Sequence, residues 1–354
     1  MVKIVLLALI TLLVSLLITP FIIKLALKIN ATDKPDERKV HKSPTPTMGG
    51  VAIFLSFCIG VVILQPESQF HLAIMAGALA MILLGIFDDL YNLPAKTKFA
   101  VQVAAAAVVV FGGGLQLHFI NLPFGGKLEF GILGSLITII WIVGITNAIN
   151  LIDGLDGLAA GVSSIALLTT AFMAMAMGNV YVFTMAVILL FSTLGFLKFN
   201  FFPARIFMGD TGALFLGYMI AVLALLGFKN VTIISFVIPL LILGVPISDT
   251  LISMVRRYIN KQPMTQADSS HLHHRLIGFG LTHKQTVLFI YLLSGMFSLA
   301  AILFSMATVW GAILITLIAL VTVQSLIENL DLINSNFKPL TNIVKVIRHN
   351  SKRI

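Results

Sequence analysis

The chain has 354 residues, of which 58% are hydrophobic and 10% are charged, and its formal net charge is +9. Soluble domains carry about 25% charged residues, so this composition excludes an ordinary soluble protein. A disulfide-stabilised secreted scaffold is also excluded, because Cys58 is the only cysteine. The basic residues stand between apolar runs and form no soluble patch, so we expect no nucleic-acid partner. The composition predicts a polytopic integral membrane protein.

The apolar runs predict an all-α fold with about 11 transmembrane helices, because a membrane crossing needs about 20 apolar residues. We find no repeat, linker or soluble-sized insertion, so residues 1–354 are predicted to form a single transmembrane domain. The predicted helices lie near 4–28, 49–65, 71–87, 97–113, 131–149, 157–177, 180–199, 210–228, 231–255, 285–305 and 308–327.

The basic residues predict that the N-terminus is outside and the C-terminus is cytoplasmic. If loops alternate between the two sides, Lys3, Lys127 and Lys229 are the only three of 23 basic residues outside. Twelve of the 14 acidic residues also fall inside. The positive-inside rule does not explain this second bias, because Asp and Glu contribute little to topology. The acidic residues therefore need another explanation.

Two segments depart from the pattern of spanning helices. The stretch Leu-Pro-Phe-Gly-Gly-Lys-Leu-Glu-Phe predicts a small extracellular β-hairpin near 115–130. Over 328–354, apolar residues recur every three or four positions with basic residues between them. This pattern predicts an amphipathic helix that lies on the inner leaflet, with a frayed basic tail as the alternative.

A pair of acidic residues, Asp88 and Asp89, ends the third apolar run. On a helix they point about 100° apart, so one could face a metal or a reacting group while the other holds a lysine. Pro94 disfavours a continuous helix, and a turn there could bring Lys96 or Lys98 back to the carboxylates. An interfacial helix cap beside a solvated basic loop is the alternative.

Amides and carboxylates also cluster at the inner end of the fifth run. Asn147 and Asn150 share one helix face because they are three residues apart. The pairs Asp153-Gly154 and Asp156-Gly157 then predict turns. Buried amides at a membrane boundary need partners, and a metal or a sugar hydroxyl would serve. A polar turn whose aspartates cap the next helix is the alternative.

Asp210 immediately precedes the eighth run, where the simplest interpretation is a helix N-cap. A carboxylate has two oxygens, so the same residue could also bind a metal. The neighbouring Gly209 and Gly212 would let the backbone or a ligand approach closely.

The loop over 256–284 contains His271-Leu-His273-His274-Arg275. No cysteine completes a zinc site. Arginine favours a phosphate, which it binds with two hydrogen bonds, and the histidines would add further donors. The first cytoplasmic loop, around Lys42, could hold anionic lipid headgroups or a nucleotide. In both loops ordinary solvated polarity is the alternative.

All these clusters fall on one predicted face of the membrane. Carboxylates, amides, a lysine and a histidine–arginine cluster are the groups that Mg²⁺-assisted phosphoryl transfer requires. A site at headgroup depth on the cytoplasmic side could join a soluble nucleotide to a lipid phosphate.

The clusters together resemble the polyprenyl-phosphate N-acetylhexosamine-1-phosphate transferases. The matching segments are Asp88-Asp89 with Lys98, the stretch 147–157, Gly209-Asp210-Thr211-Gly212, 271–275 and the similar stretch 45–50. The resemblance is greatest to the bacterial branch that transfers phospho-GlcNAc to undecaprenyl phosphate and begins wall teichoic acid or O-antigen-type polymers. The peptidoglycan branch, which transfers phospho-MurNAc-pentapeptide, has no arginine at the position of Arg275.

The resemblance implies UDP-GlcNAc and undecaprenyl phosphate as substrates, and undecaprenyl-diphospho-GlcNAc and UMP as products. It implies Mg²⁺, with Mn²⁺ as an alternative, at Asn150 and Asp210. The implied catalytic residues are Asp88, Asp89, Lys98, Asp153 and Asp156. The implied substrate-binding residues are Lys42, Asn147, His271, His273, His274 and Arg275. A bacterial plasma-membrane location, an active site on the cytoplasmic face, contacts with membrane lipid and a homodimer are further expectations.

A single displacement is the expected mechanism. The second pKa of a phosphate monoester is near 6, so the lipid phosphate is largely dianionic at pH 7 and needs little base catalysis. Asp88 would then order or deprotonate the nucleophile rather than become phosphorylated.

Three rival functions remain open. A transporter should have polar residues near mid-span and paired halves, whereas here the polar residues cluster at one end of the helices. The motif of the CDP-alcohol phosphotransferases, suggested by the Asp-Gly turns, has an arginine at the position of Ala160. A non-catalytic lipid-binding scaffold would not need the joint set of motifs.

Overall fold

The apolar runs form helices because a helix satisfies its own backbone hydrogen bonds where lipid offers none. The computed structural model describes residues 2–33, 44–121, 126–228, 233–263, 270–333 and 338–341. The helices are α1 Val2–Lys28, α2 Gly50–Leu64, α3 His71–Tyr91, α4 Ala95–Ala107, α5 Ile132–Ile152, α6 Leu158–Ala176, α7 Val180–Asn200, α8 Gly209–Phe228, α9 Ile233–Ile242, α10 Gly244–Ile259, α11 Leu272–Gly278, α12 His283–Met306 and α13 Val309–Asn329.

The chain is a multi-pass membrane protein. Among the described residues, nine helices are long and apolar enough to cross a membrane, and the bent pair α9–α10 would make ten. In this count α4 continues to Gly112 through the π-helical turn Val108–Gly112. Helix α2 has 15 residues, which cover about 22 Å, less than the ~30 Å of a bilayer core. All eleven predicted apolar runs fall on helices, but eleven spans are not confirmed.

The prediction of one continuous helix over 231–255 is wrong. Helix α9 ends at Ile242, α10 begins at Gly244, and their axes differ by 83°. Pro246 has no N–H to donate to the carbonyl of Ile242 four residues earlier, and its ring would clash with that carbonyl. A proline within the apolar run therefore accounts for the break.

Helix α8 forms the centre of the bundle. In this helix 89% of the membrane-spanning stretch is buried inside the protein, and α3 and α5 pack against it. Buried hydroxyls mostly donate to the backbone of their own helix, and a few donate to the backbone of another helix. For example, the Ser15 hydroxyl of α1 donates to the Ser192 carbonyl of α7 at 2.7 Å. By contrast, only 6% of the membrane-spanning stretch of α13 is buried, so α13 lies at the periphery.

Two pairs of short strands complete the described structure. Strands β1 (Thr32–Asp33) and β2 (Thr45–Pro46) pair antiparallel, as do β3 (Phe119–Asn121) and β4 (Lys127–Glu129). The β3–β4 pair lies in the segment where we predicted a hairpin, although its connection over 122–125 is outside the described residues. Most of the predicted amphipathic tail is also outside them, so the tail remains a prediction.

Candidate functional site

A cavity of about 470 Å³ opens at one end of the helix bundle. The helix ends at this cavity are the C-terminal ends of α3, α5 and α7 and the N-terminal ends of α8 and α12. The polar residues that line it include six aspartates, three asparagines and two histidines: Asp33, Asp88, Asp89, Asp153, Asp156, Asp210, Asn92, Asn150, Asn200, His274 and His283. The clusters predicted from distant parts of the sequence therefore meet at one site.

Lys98 joins two of the aspartates. Its Nζ lies 2.7 Å from Asp88 Oδ2 and 2.9 Å from Asp210 Oδ2. The helix break expected at Pro94 is present, because α3 ends at Tyr91 and α4 begins at Ala95. The turn is held by Asp88 Oδ1, which accepts a hydrogen bond from the Leu93 N–H at 2.8 Å. The turn thus returns the lysine to the carboxylates.

Asp89 holds the first turn of α8. Its Oδ1 accepts from the Asp210 N–H at 2.9 Å, and its Oδ2 accepts from the N–H and the hydroxyl of Thr211. Asp89 therefore caps α8 from another helix. The simplest interpretation of Asp210, as the N-cap of its own helix, is wrong because its carboxylate binds Lys98 instead. The two adjacent aspartates diverge as their spacing predicts.

The end of α5 contributes Asn150 to the cavity lining, and the turn that follows contributes Asp153 and Asp156. Asp156 Oδ2 also accepts from the Ala204 N–H at 2.9 Å, which ties the turn to the segment after α7. Burial, together with the charges of Asp210, Asp89 and Asp156, raises the pKa of Asp153 well above its usual value. The electrostatic environment of this turn therefore favours a proton or a cation.

Asn147 is directed elsewhere. Its Nδ2 donates to Gln102 Oε1 at 2.6 Å and to the Val143 carbonyl at 2.8 Å. Gln102 is buried in α4 and needs a partner for its amide. The pair joins α4 to α5. Asn150 therefore lines the cavity, whereas Asn147, predicted on the same helix face, does not.

The histidine cluster is brought to the site by α11, but only His274 of the cluster lines the cavity. His271 is buried, and its Nδ1 lies 2.9 Å from Asp249 Oδ2. His273 packs against Gly154, where a Cβ would lie 2.3 Å from the ring. Burial, with a smaller effect of His274, lowers the pKa of His273 to about 3, so this imidazole is neutral at pH 7. Arg275 does not line the cavity, and its Nε is buried without a hydrogen-bond partner.

Several residues that line the cavity were not predicted as site residues from the sequence. Asn200 is buried, donates from Nδ2 to the Ile206 carbonyl at 3.0 Å, and has no partner for Oδ1. It ends the seventh apolar run much as Asn150 ends the fifth, and that was the available signal. Thr47 lies within the matching stretch 45–50, and His283 stands two residues before the predicted helix 285–305. Lys42 lies outside the described residues.

The donor set of the cavity suits a hard divalent cation. Carboxylate and amide oxygens are the protein ligands that Mg²⁺ accepts, and six aspartates and three asparagines line the cavity. No group of three His, Cys, Asp or Glu side chains in the described ranges could hold a metal by itself. This agrees with the usual Mg²⁺ site, in which one or two protein oxygens are completed by substrate phosphate and water.

The chain is similar to known proteins over nearly its whole length. Residues 71–228 match the family model described as Glycosyl transferase family 4. A "Probable undecaprenyl-phosphate N-acetylglucosaminyl 1-phosphate transferase" of Bacillus subtilis (strain 168) is 48% identical over 348 residues, which cover 98% of this chain and 97% of that protein. A "Decaprenyl-phosphate N-acetylglucosaminephosphotransferase" of Mycobacterium tuberculosis (strain ATCC 25618 / H37Rv) is 33% identical over 78% of this chain and 76% of its own. An "Undecaprenyl-phosphate alpha-N-acetylglucosaminyl 1-phosphate transferase" of Escherichia coli (strain K12) is 27% identical over 79% and 78%.

Proposed function

The chain belongs to the polyprenyl-phosphate N-acetylhexosamine-1-phosphate transferases of glycosyl transferase family 4, and we propose that it transfers GlcNAc-1-phosphate from UDP-GlcNAc to undecaprenyl phosphate. The products are undecaprenyl-diphospho-GlcNAc and UMP. The observation that carries this proposal is an oxygen-rich cavity at one end of the bundle, in which two lining aspartates, Asp88 and Asp210, bind the same lysine, Lys98. The distribution of Lys and Arg supports a cytoplasmic position for that end.

In the proposed reaction an oxygen of the lipid phosphate attacks the phosphorus that carries the sugar. The bond from that phosphorus to the bridging oxygen breaks, and UMP leaves with that oxygen. Asp88 orders the attacking phosphate, and Lys98 takes up negative charge on the phosphate oxygens while it fixes the carboxylates. The attacking phosphate is already largely dianionic, so no phospho-aspartyl intermediate is needed.

Asn150 and Asp210 would hold Mg²⁺, or alternatively Mn²⁺, with Asp153 and Asp156 nearby in the same cavity. When bound, such an ion neutralises charge on the diphosphate. His274 donates to the diphosphate of the nucleotide, and Lys42 binds the lipid phosphate or the nucleotide. Asp89 shapes the site by capping α8, and Asn147 shapes it through Gln102.

The proposed donor sugar is GlcNAc, and the proposed product begins a surface polymer, with wall teichoic acid as the expected one. The support is Arg275 in the histidine loop and the names of the similar proteins, all of which refer to N-acetylglucosamine. The alternative within the family is transfer of phospho-MurNAc-pentapeptide.

A panel of donors tests the proposal. Purified protein is given undecaprenyl phosphate, Mg²⁺ and either UDP-GlcNAc, UDP-GalNAc or UDP-MurNAc-pentapeptide, and UMP release is measured. We expect release with UDP-GlcNAc, loss of release with EDTA and recovery with added Mg²⁺. Release with UDP-MurNAc-pentapeptide alone would support the peptidoglycan alternative. No release with any donor would favour a transporter.

A second measurement tests the single displacement. UDP-GlcNAc that carries a radioactive label in the sugar-linked phosphate is incubated with the protein without the lipid acceptor. We expect no labelled protein. Isolation of a phospho-aspartyl enzyme would overturn the single-step mechanism and leave the overall reaction in place.

A further inference from the structure

Asp249 is a buried carboxylate that no motif in the sequence singles out. It lies in α10, five residues after the break at Ile242–Gly244, and only 5% of it is exposed. Its Oδ2 lies 2.9 Å from His271 Nδ1, and its Oδ1 accepts from the Leu272 N–H at 2.8 Å. Both oxygens are therefore committed to the start of α11.

This contact fixes α11 in two ways. The bond to the Leu272 N–H satisfies one of the free donors at the start of the helix. The bond to Nδ1 requires the His271 tautomer or charge state with a hydrogen on that nitrogen. A buried carboxylate without such donors would be unfavourable, so the structure in which Asp249 is bonded to the start of α11 is more stable than one in which the two are apart.

A continuous series of contacts leads from Asp249 to the cavity. The rings of His271 and His273 lie parallel with centroids 6.0 Å apart, and those of His273 and His274 are 4.2 Å apart. His273 fills the space over Gly154, so α11 is held against the turn that follows α5. At the end of this series His274 lines the cavity.

We propose that Asp249 is a positioning residue that orients α11 through His271, so that His274 faces the diphosphate of the nucleotide donor. In this arrangement His271 is the hydrogen-bond partner of Asp249 and not a ligand of the substrate. The inference rests on the proposed function, because it takes the bound ligand to be a nucleoside diphosphate sugar. It links the bent helix pair to the donor site and leaves the site of the lipid phosphate independent of Asp249.

Two isosteric replacements of His271 test the inference. The amide nitrogen of asparagine takes the place of Nδ1, whereas that of glutamine takes the place of Nε2. We expect His271→Asn to retain the KM for UDP-GlcNAc within about twofold. We expect His271→Gln and Asp249→Ala each to raise it by about tenfold, the loss of one charged hydrogen bond. The KM for undecaprenyl phosphate of His271→Gln should match that of His271→Asn, whereas its thermal midpoint should be lower, because Asp249 Oδ2 then lacks its buried donor.

Binding of UDP to each purified variant, measured by calorimetry, gives the same comparison without turnover. Equal loss in His271→Asn and His271→Gln would overturn the inference, because the ring itself would then be required. An unchanged KM for UDP-GlcNAc in Asp249→Ala would also overturn it and leave the proposed function in place. If the unmodified protein released no UMP but it and the variants bound UDP in the expected order of affinity, the proposed function alone would fail. If it did neither, both would fail.

Discussion

The side chain of Lys98 holds together carboxylates that would otherwise repel each other. Asp88 and Lys98 are close in sequence, but Asp210 is 112 residues from Lys98. The lysine is therefore an electrostatic link between α3 and α8 and, in the proposed reaction, a cation beside the reacting phosphates. Its removal should affect turnover more than any other single change at the cavity.

Lys98→Met is expected to lower kcat by at least about 100-fold, because the methyl thioether removes the charge that stabilises the phosphate oxygens. Lys98→Arg is the control that retains the charge but alters the geometry, and it should have intermediate activity. UMP release at saturating substrates measures both. A fully active Lys98→Met variant would exclude Lys98 from the reaction.

The adjacent aspartates should separate stability from activity. Asp89→Ala removes the cap of α8 and is expected to lower the free energy of unfolding by about 1–2 kcal/mol. Asp88→Asn retains the acceptor for the Leu93 N–H and should mainly reduce turnover. Thermal unfolding in detergent and UMP release are measured on both variants. If Asp88→Asn were the less stable and the more active of the two, the assigned roles would be reversed.

Sequence reasoning found several residues that line the cavity but not all of their partners. The divergence of Asp88 and Asp89 follows from helix geometry alone. Which of them binds lysine depends on how α8 packs, and Asp210 lies more than a hundred residues away. Asp249 was missed although an ionisable residue within an apolar run is itself a signal, and its partner His271, 22 residues later, could not be identified from the sequence.

The packing of α3 against α8 sets how Asp88 and Asp89 are placed relative to the start of α8. A Cβ on Gly85 would lie 2.2 Å from the Thr211 Cα, so the two backbones touch one turn before Asp88. The larger side chain of any other residue would separate the helices there. The same contact brings Asp89 to the start of α8.

Gly85→Ala is therefore expected to lower the free energy of unfolding by about 1–3 kcal/mol, the cost of overpacking at a backbone contact, and to lower activity because it moves the start of α8 away from Asp89. Gly144→Ala in α5 is the matched control, since nothing lies within 4 Å of the added Cβ. That control should retain normal activity and thermal stability. Equal behaviour of the two variants would contradict a close approach of α3 and α8.

Individual elements were easier to predict than their shape. Each apolar run is helical because no other structure satisfies the backbone in lipid. The bend between α9 and α10 falls among apolar residues, Ile242 to Val245, so hydropathy does not reveal it. Pro239 and Pro246 carried the only local signal.

The whole molecule places its chemistry at one end of the bundle. This arrangement was predictable, because polar residues stand at alternate ends of successive apolar runs. The cavity itself was not, since it depends on the pairing of α3 and α5 with the central α8. The topology then decides which compartment the cavity faces.

Cysteine labelling tests the topology. In a Cys58→Ser background, Glu67→Cys lies in the turn between α2 and α3, and Lys261→Cys follows α10; both positions are exposed. A membrane-impermeant thiol reagent should label Glu67→Cys in intact cells and Lys261→Cys only after permeabilisation. The opposite pattern would place the cavity on the outer face.

The lining of the cavity begins at Thr32 and ends at His283. A ribosome must therefore translate most of the message before every wall of the cavity exists. A truncated product that stops after α8 would hold the aspartates without the histidine wall. Biosynthesis of this protein thus has a late step, the arrival of α11 and α12, before which the nascent chain has no complete donor site.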